Sequence, residues 1–179
     1  LFSIALFPGS RKQEIKQHLP LYKNIIDLLN KHHNNLYFIV RQAQGIQINA
    51  KKQLGLTKNY HIEKNNSFAA FSNADFALVA SGTATLECAI TQTPMVVVYK
   101  TSSISWALAR CFMNVDYVSI VNILNKKKVV EEFLQHQANA KTITDYIKHS
   151  ILNKKATFNY ASVLKSLGAK NIYHNTSQF

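Results

Sequence analysis

Apolar residues along the chain alternate between short, nearly continuous runs and longer stretches in which they recur every three or four positions. That pattern predicts an α/β domain on a mostly parallel sheet. Ser3–Phe7 is a continuous run ended by Pro8-Gly9-Ser10, as expected of a central strand covered on both faces. Ile15, Leu19, Leu21, Ile25, Ile26, Leu28 and Leu29 recur at helical spacing between Lys12 and His33, with Pro20 predicting a break or kink. Leu36–Val40 reads as the second strand, Ile48–Leu54 as a short helix ending at Gly55, and His61-Ile62 as part of a third strand. Ser67–Ser72 reads as a short helix, Asp75–Ala80 as a strong strand, Thr83–Thr91 as a helix and Met95–Tyr99 as the next strand. Beyond these, Ser105–Met113 is expected to be helical and Tyr117–Ile120 extended. Val129–Leu134, Ala138–Leu152 and Phe158–Leu167 are expected to be helical.

The chain has 179 residues, 47% of them hydrophobic, which suits one domain with a sizeable core rather than a disordered segment. No linker or internal repeat divides it, so residues 1–179 read as a single domain. Two cysteines, Cys88 and Cys111, in apolar surroundings do not make a disulfide framework. No apolar run reaches the roughly 18–20 residues of a transmembrane helix. The opening LFSIALFPGS lacks the basic region with which a secretory signal begins. It also lacks an initiator Met and starts at once on a buried strand, so a longer protein is expected upstream.

Charge adds a constraint. Lys and Arg number 21 against 9 Asp and Glu, a formal net charge of +12, and 18 of the basic residues are Lys. The balance fits nucleic acid, an anionic membrane surface or a phosphorylated small substrate. A nucleic-acid module is disfavoured because Arg is scarce, Lys is dispersed and no recognition motif appears.

Open α/β sheets bind ligands beyond the carboxyl ends of their strands, so the turns there carry most weight. The first is Phe7-Pro8-Gly9-Ser10-Arg11 with Glu14 one turn on. Gly9 permits close backbone approach, Ser10 is placed to cap the following helix, free N–H groups at a helix start favour an anion, and Arg11 adds a bidentate phosphate donor. The second, Ser81-Gly82-Thr83-Ala84-Thr85-Leu86-Glu87, offers amides and hydroxyls to a diphosphate, with Glu87 placed to accept from a sugar's vicinal hydroxyls. Ordinary strand-to-helix turns fit the same residues: Ser10 as N-cap with Glu14 as a helix-stabilising charge, and Ser81 or Thr83 as cap with Glu87 solvated. Both turns at the end of one sheet argue for convergence on one phosphate-bearing ligand. Neither is a Walker A loop.

Other chemistries find less support. The seven histidines show no metal-ligand spacing, and no metal site is expected. Cys88 lies in an apolar helix and reads as core. No nucleophile elbow or carboxylate pair appears. Lys126-Lys127-Lys128 reads as a solvated turn or a patch that steers anions.

The segments ALFPGSRKQEIKQHLP, ASGTATLECAITQTPMVVVYK and DYVSIVNIL with VVEEFLQ resemble, in order and spacing over essentially the whole chain, the C-terminal half of lipid-A-disaccharide synthase. The resemblance implies a Rossmann-like parallel sheet with helices on both faces, the nucleotide-sugar-binding domain of a GT-B glycosyltransferase. It implies transfer of 2,3-diacylglucosamine from UDP-2,3-diacylglucosamine to 2,3-diacylglucosamine 1-phosphate, with UDP released and no metal cofactor. Arg11 and Asn122 are then the catalytic candidates. Gly9 and Ser10 lie with Arg11 at the donor's phosphate side, Glu14 is a further UDP-sugar-binding candidate, Ser81, Gly82, Thr83 and Thr85 cradle the diphosphate, and Glu87 meets the ribose. Such a protein is expected in the cytoplasm, peripheral to the inner membrane of a Gram-negative bacterium.

The resemblance has departures. The family's L-P-N-L-L-A-G reads here Ile120-Val121-Asn122-Ile123-Leu124-Asn125-Lys126, so its Pro and its Ala-Gly turn are lost, and Asn125 is expected to serve in place of Gly in a left-handed turn, with some strain. The family's N-terminal acceptor domain is missing from the chain. Residues 1–179 alone are therefore expected not to turn over, and the tail from about Phe158 to pack here or against that domain. Remaining alternatives are a GT-B transferase or epimerase for another UDP-sugar, an inactive truncated remnant, and the basic nucleic-acid module.

Overall fold

A computed structural model describes residues 1–101, 117–152 and 159–166. Six strands form one sheet: β1 (Phe2–Phe7), β2 (Leu36–Arg41), β3 (Tyr60–Glu63), β4 (Phe76–Ala80), β5 (Met95–Tyr99) and β6 (Glu131–Leu134). Their order is β3-β2-β1-β4-β5-β6, and every neighbouring pair is parallel. This is the doubly wound Rossmann order, whose direction of winding reverses between β1 and β4.

Seven helices complete the described chain: α1 (Lys12–Asn30), α2 (Ala50–Leu54), α3 (Ser67–Ser72), α4 (Ala84–Ile90), α5 (Ile120–Asn125), α6 (Ala140–Tyr146, running on as a π-helical turn, Ile147–Leu152) and α7 (Ala161–Ser166). Strand alternation divides the core into two layers. Ile4, Leu6, Phe76, Leu78, Val96 and Val98 point to the face covered by α1, α2 and α6. Ala5, Phe7, Ala77, Val79, Met95 and Val97 face the core beneath α3, α4, α5 and α7. Central strands buried on both faces explain the uninterrupted apolar runs.

Helix α1 presents Ile15, His18, Leu19, Tyr22, Ile25, Ile26 and Leu29 as a buried stripe at helical spacing. The break expected at Pro20 does not occur: the helix continues to Asn30. Pro20 sits on the exposed side, where water can satisfy the carbonyl one turn before it, and the apolar stripe anchors both flanks. Helix α2 starts later than its apolar pattern suggested, because Asn49 caps it by accepting from the Lys52 N–H at 2.9 Å.

The largest correction lies further on. Val129–Leu134, read as helical, contains strand β6 at the sheet edge, in register with Val96–Tyr99 of β5. Tyr117–Ile120 makes no strand; Ser119 is the N-cap of α5, its hydroxyl accepting from the Asn122 N–H. Lys126, not Asn125, takes the left-handed conformation, with φ 49°. Asn125 instead stays in the last turn of α5, its side chain donating to the Val121 carbonyl at 2.8 Å. The helix expected over Ser105–Met113, with Cys111, lies outside the described residues, as does most of the tail from Phe158. Cys88 is buried core, its thiol pushed up by desolvation. No helix among the described residues is long and apolar enough to cross a membrane.

Candidate functional site

The turns after β1 and β4 are the two that flank the point where the sheet's winding reverses, and they enclose a cleft of about 380 Å³. Gly9, Ser10, Arg11 and Glu14 line it from the first turn, and Ser81, Gly82, Thr83 and Glu87 from the second. Convergence follows from topology: β1 and β4 are paired neighbours in the sheet, so the loops at their carboxyl ends emerge side by side. A second hollow, about 420 Å³, runs along the flank of α1 between Lys16, Leu19 and Ile46. It contains neither turn.

Local wiring differs from the sequence expectation. Helix α1 is entered through Arg11, not Ser10, as N-cap. Two amides of the turn are engaged: Glu14 Oε2 accepts from the Ser10 and Arg11 N–H groups at 3.2 and 3.3 Å, while Oε1 pairs with Arg11 Nη1 at 2.9 Å. Glu14 thus occupies the two amides that lead into the helix. A phosphate reaching those amides has to displace its carboxylate, whereas the guanidinium of Arg11, whose side chain is 83% exposed, is available from the cleft.

Gly9 makes this arrangement possible. Its φ is +108°, and a Cβ there would lie 2.6 Å from Glu14 Oε2 and 3.0 Å from Glu14 Cβ. Gly9→Ala is therefore expected to lower stability by about 1–3 kcal/mol and to expel Glu14 from the Ser10 and Arg11 amides. Denaturant unfolding, with the two amide resonances followed by NMR, measures both effects.

At the second turn several polar groups are already used. Ser81 Oγ donates to the Val118 carbonyl at 2.9 Å, and the buried Thr85 donates to the Gly82 carbonyl at 2.7 Å, so Thr85 shapes the turn without facing the cleft. Thr83 occupies the N-cap position of α4 but makes no side-chain cap bond. Among the described residues, the Gly82, Thr83 and Ala84 N–H groups have no protein partner. Gly82, at φ +147° with nothing within 4 Å of a would-be Cβ, leaves room for a ligand's close approach.

Asn122 is not in the cleft. It is fully buried, and all four of its side-chain hydrogen-bonding positions are engaged. Its Oδ1 accepts from the Val129 and Val130 N–H groups at 2.7 and 2.9 Å; its Nδ2 donates to the Val130 carbonyl at 2.9 Å and to Glu132 Oε1 at 2.7 Å. Glu132, on β6, also accepts from the Val118 and Ser119 N–H groups and from the Ser119 hydroxyl. Asn122 reaches the cleft through this chain, because the Val118 carbonyl is the acceptor of Ser81.

Two cleft residues escaped sequence reasoning. Arg41, the last residue of β2, donates from Nη1 to the carbonyls of Gln42, Glu63 and Lys64 and lines the cleft. The signal for it was one of the chain's three Arg standing at a strand's carboxyl end. Ser67, the first residue of α3, donates its hydroxyl to Glu87 Oε2. Nothing local in the sequence pairs residues twenty apart in this way. Among the described residues, no three His, Cys, Asp or Glu side chains are grouped as metal ligands.

The sequence model of the lipid-A-disaccharide synthetase family matches residues 2–178. The chain belongs to this family. It is 37% identical over 148 residues to lipid-A-disaccharide synthase 1 of Legionella pneumophila, covering 82% of this chain and 38% of that protein. Against the lipid-A-disaccharide synthase of Rickettsia prowazekii it is 32% identical over 166 residues, or 89% of this chain and 44% of the relative. The chain thus spans less than half the length of these relatives. Among solved structures, the spinosyn rhamnosyltransferase SpnG superposes with a TM-score of 0.55 at 13% identity, covering 92% of this chain and 40% of SpnG. That likeness carries the fold: a lipid-A-disaccharide synthase family member with the Rossmann-like domain also found in glycosyltransferases.

Proposed function

We propose that this chain is the nucleotide-sugar-binding half of a lipid-A-disaccharide synthase, binding the UDP moiety of UDP-2,3-diacylglucosamine in the cleft between the β1 and β4 turns. In the whole enzyme the diacylglucosamine passes to 2,3-diacylglucosamine 1-phosphate, and UDP leaves. Family membership over residues 2–178, joined to a cleft in which the two turns converge, carries the reading. SpnG, of like fold, has been solved in complex with thymidine diphosphate, which supports a nucleoside diphosphate as ligand class.

In this proposal Arg11 and the Gly82, Thr83 and Ala84 amides face the diphosphate. Negative charge develops on UDP as the glycosidic bond breaks, and fixed donors aimed at it lower the barrier without a metal. Glu87, oriented by Ser67, accepts from the ribose hydroxyls. Asn122 is a positioning residue, acting through Val118 and Ser81. The net charge of +12 favours acidic lipid substrates at an anionic membrane surface, consistent with a cytoplasmic protein peripheral to the inner membrane.

Titrating the chain with UDP while recording amide resonances tests the reading. Shifts concentrated at residues 9–11 and 81–87 are expected. Shifts with duplex DNA and none with UDP would reject it in favour of a basic nucleic-acid module.

A further inference from the structure

Helix α1 carries a buried histidine that the function proposed above does not use. His18 is 0% exposed and lies between the two chain segments that leave β1 and β5. Its Nδ1 is 2.9 Å from the Pro8 carbonyl, and the Lys100 N–H donates to its Nε2 at 3.1 Å. An amide N–H can only donate and a carbonyl can only accept, so the tautomer is dictated: Nδ1 carries the proton and Nε2 is bare. One turn on, Tyr22 stacks on the imidazole with ring centroids 6.1 Å apart and donates its hydroxyl to the Phe7 carbonyl at 3.1 Å. Two side chains of α1 thus grip consecutive carbonyls, Phe7 and Pro8, immediately before Gly9. His18 alone extends the grip to β5.

We propose that His18 is a positioning residue that couples the turn after β1 to the end of β5, and that only its neutral form holds the Gly9–Arg11 turn in the geometry that binds a nucleoside diphosphate. The ligand half of this inference rests on the function proposed above; the coupling half does not. A second proton on the ring places Nε2–H against the Lys100 N–H, replacing a hydrogen bond by two opposed donors in a site closed to water.

The charged groups facing His18 are few. Glu14 on α1 favours the imidazolium and Lys100 beyond β5 opposes it, Tyr22 on α1 presents a neutral ring, and Phe7 and Pro8 at the end of β1 carry no charge. Burial outweighs the Pro8 and Glu14 contributions and holds the imidazole below its ordinary value of 6.5. An unfolded chain therefore takes up the proton first on acidification, so this residue's contribution to stability is full above about pH 6.5 and is lost as pH falls toward the folded value.

The test compares wild type, His18→Gln and His18→Leu. Gln keeps an acceptor for the Lys100 N–H but does not titrate, whereas Leu keeps the volume and leaves both backbone groups unpaired. With ¹⁵N-labelled chain taken from about pH 8 to about pH 5, the Gly9 and Lys100 amides are expected to shift with the midpoint of the His18 ring itself. That step should vanish in His18→Gln. Ser10 and Arg11 are poor reporters because they also sense Glu14. By calorimetry at about pH 7.5, His18→Leu should bind UDP roughly tenfold more weakly and His18→Gln within about threefold of wild type. On acidification, wild-type affinity should fall more than that of His18→Gln, the phosphate's own titration entering both proteins equally.

Gly9 and Lys100 midpoints unchanged in His18→Gln overturn the coupling. A folded His18→Leu that binds UDP like wild type overturns the positioning role. If His18→Leu does not fold, the His18→Gln comparison decides alone. Wild type that binds no UDP at any pH removes the ligand half together with the proposed function, and the amide titration then decides the coupling by itself.

Discussion

Asn122→Ala is expected to lower stability by about 3–5 kcal/mol, among the largest effects of any single substitution in the described chain. The buried side chain closes four hydrogen bonds, and truncation leaves the Val129 and Val130 N–H groups and the Val130 carbonyl facing a cavity. Each buried orphan costs about 1–3 kcal/mol, and the loss of the Glu132 contact loosens the Val118–Ser119 segment as well. Denaturant unfolding followed by circular dichroism measures the loss. A change below about 1 kcal/mol would mean that water enters and satisfies the vacated groups. Asn122→Asp separates packing from donation: it keeps both acceptor contacts but sets a carboxylate against Glu132, so it too is expected to be strongly destabilising.

Arg11→Ala is expected to have the opposite profile. The side chain is exposed, and its pair with Glu14 is a surface contact of the kind that contributes little to stability, so the unfolding midpoint should barely move. UDP affinity should fall roughly 10- to 100-fold, the range for removing a charge-assisted phosphate contact. In the full-length enzyme, the same substitution should cripple turnover if the guanidinium faces charge that grows as UDP departs. Affinity and turnover equal to wild type would remove Arg11 from the site. The two variants thus divide the candidates by mechanism: Asn122 should act through the fold and Arg11 through the ligand.

The contrast between these residues shows where sequence reading reaches. Both were singled out by their place in a motif, and motif position says nothing about which way a side chain points. Arg11 follows a glycine at the end of a central strand, a place that topology alone puts at the mouth of a cleft. Asn122 lies on a short helix whose orientation is set by Glu132, ten residues later on another element. No local pattern encodes that pairing.

Edge strand β6 was hidden for a related reason. Glu131-Glu132 interrupts the alternation of apolar and polar positions, and carboxylates are poor strand formers. Glu132 is accommodated because Val118, Ser119 and Asn122 supply donors to it from outside the strand, and pairing with β5 completes the element. The Ser10 cap failed on finer ground: the helix begins one residue later, at Arg11, and Glu14, one turn in, reaches back to hold the Ser10 and Arg11 amides of the turn.

Taken alone, the sequence determined the strands at the centre of the sheet, the amphipathic α1 and the two small-residue turns, because each is written in contiguous residues whose periodicity and turn chemistry are local. It also determined the family. Tertiary structure decided the partnerships: Glu14 on the Ser10 and Arg11 amides, Ser67 on Glu87, Arg41 across three carbonyls, Asn122 beneath the site and His18 between two strand ends. Most of these contacts join positions distant in sequence, and all depend on geometry that exists only once the sheet has brought its strand ends together.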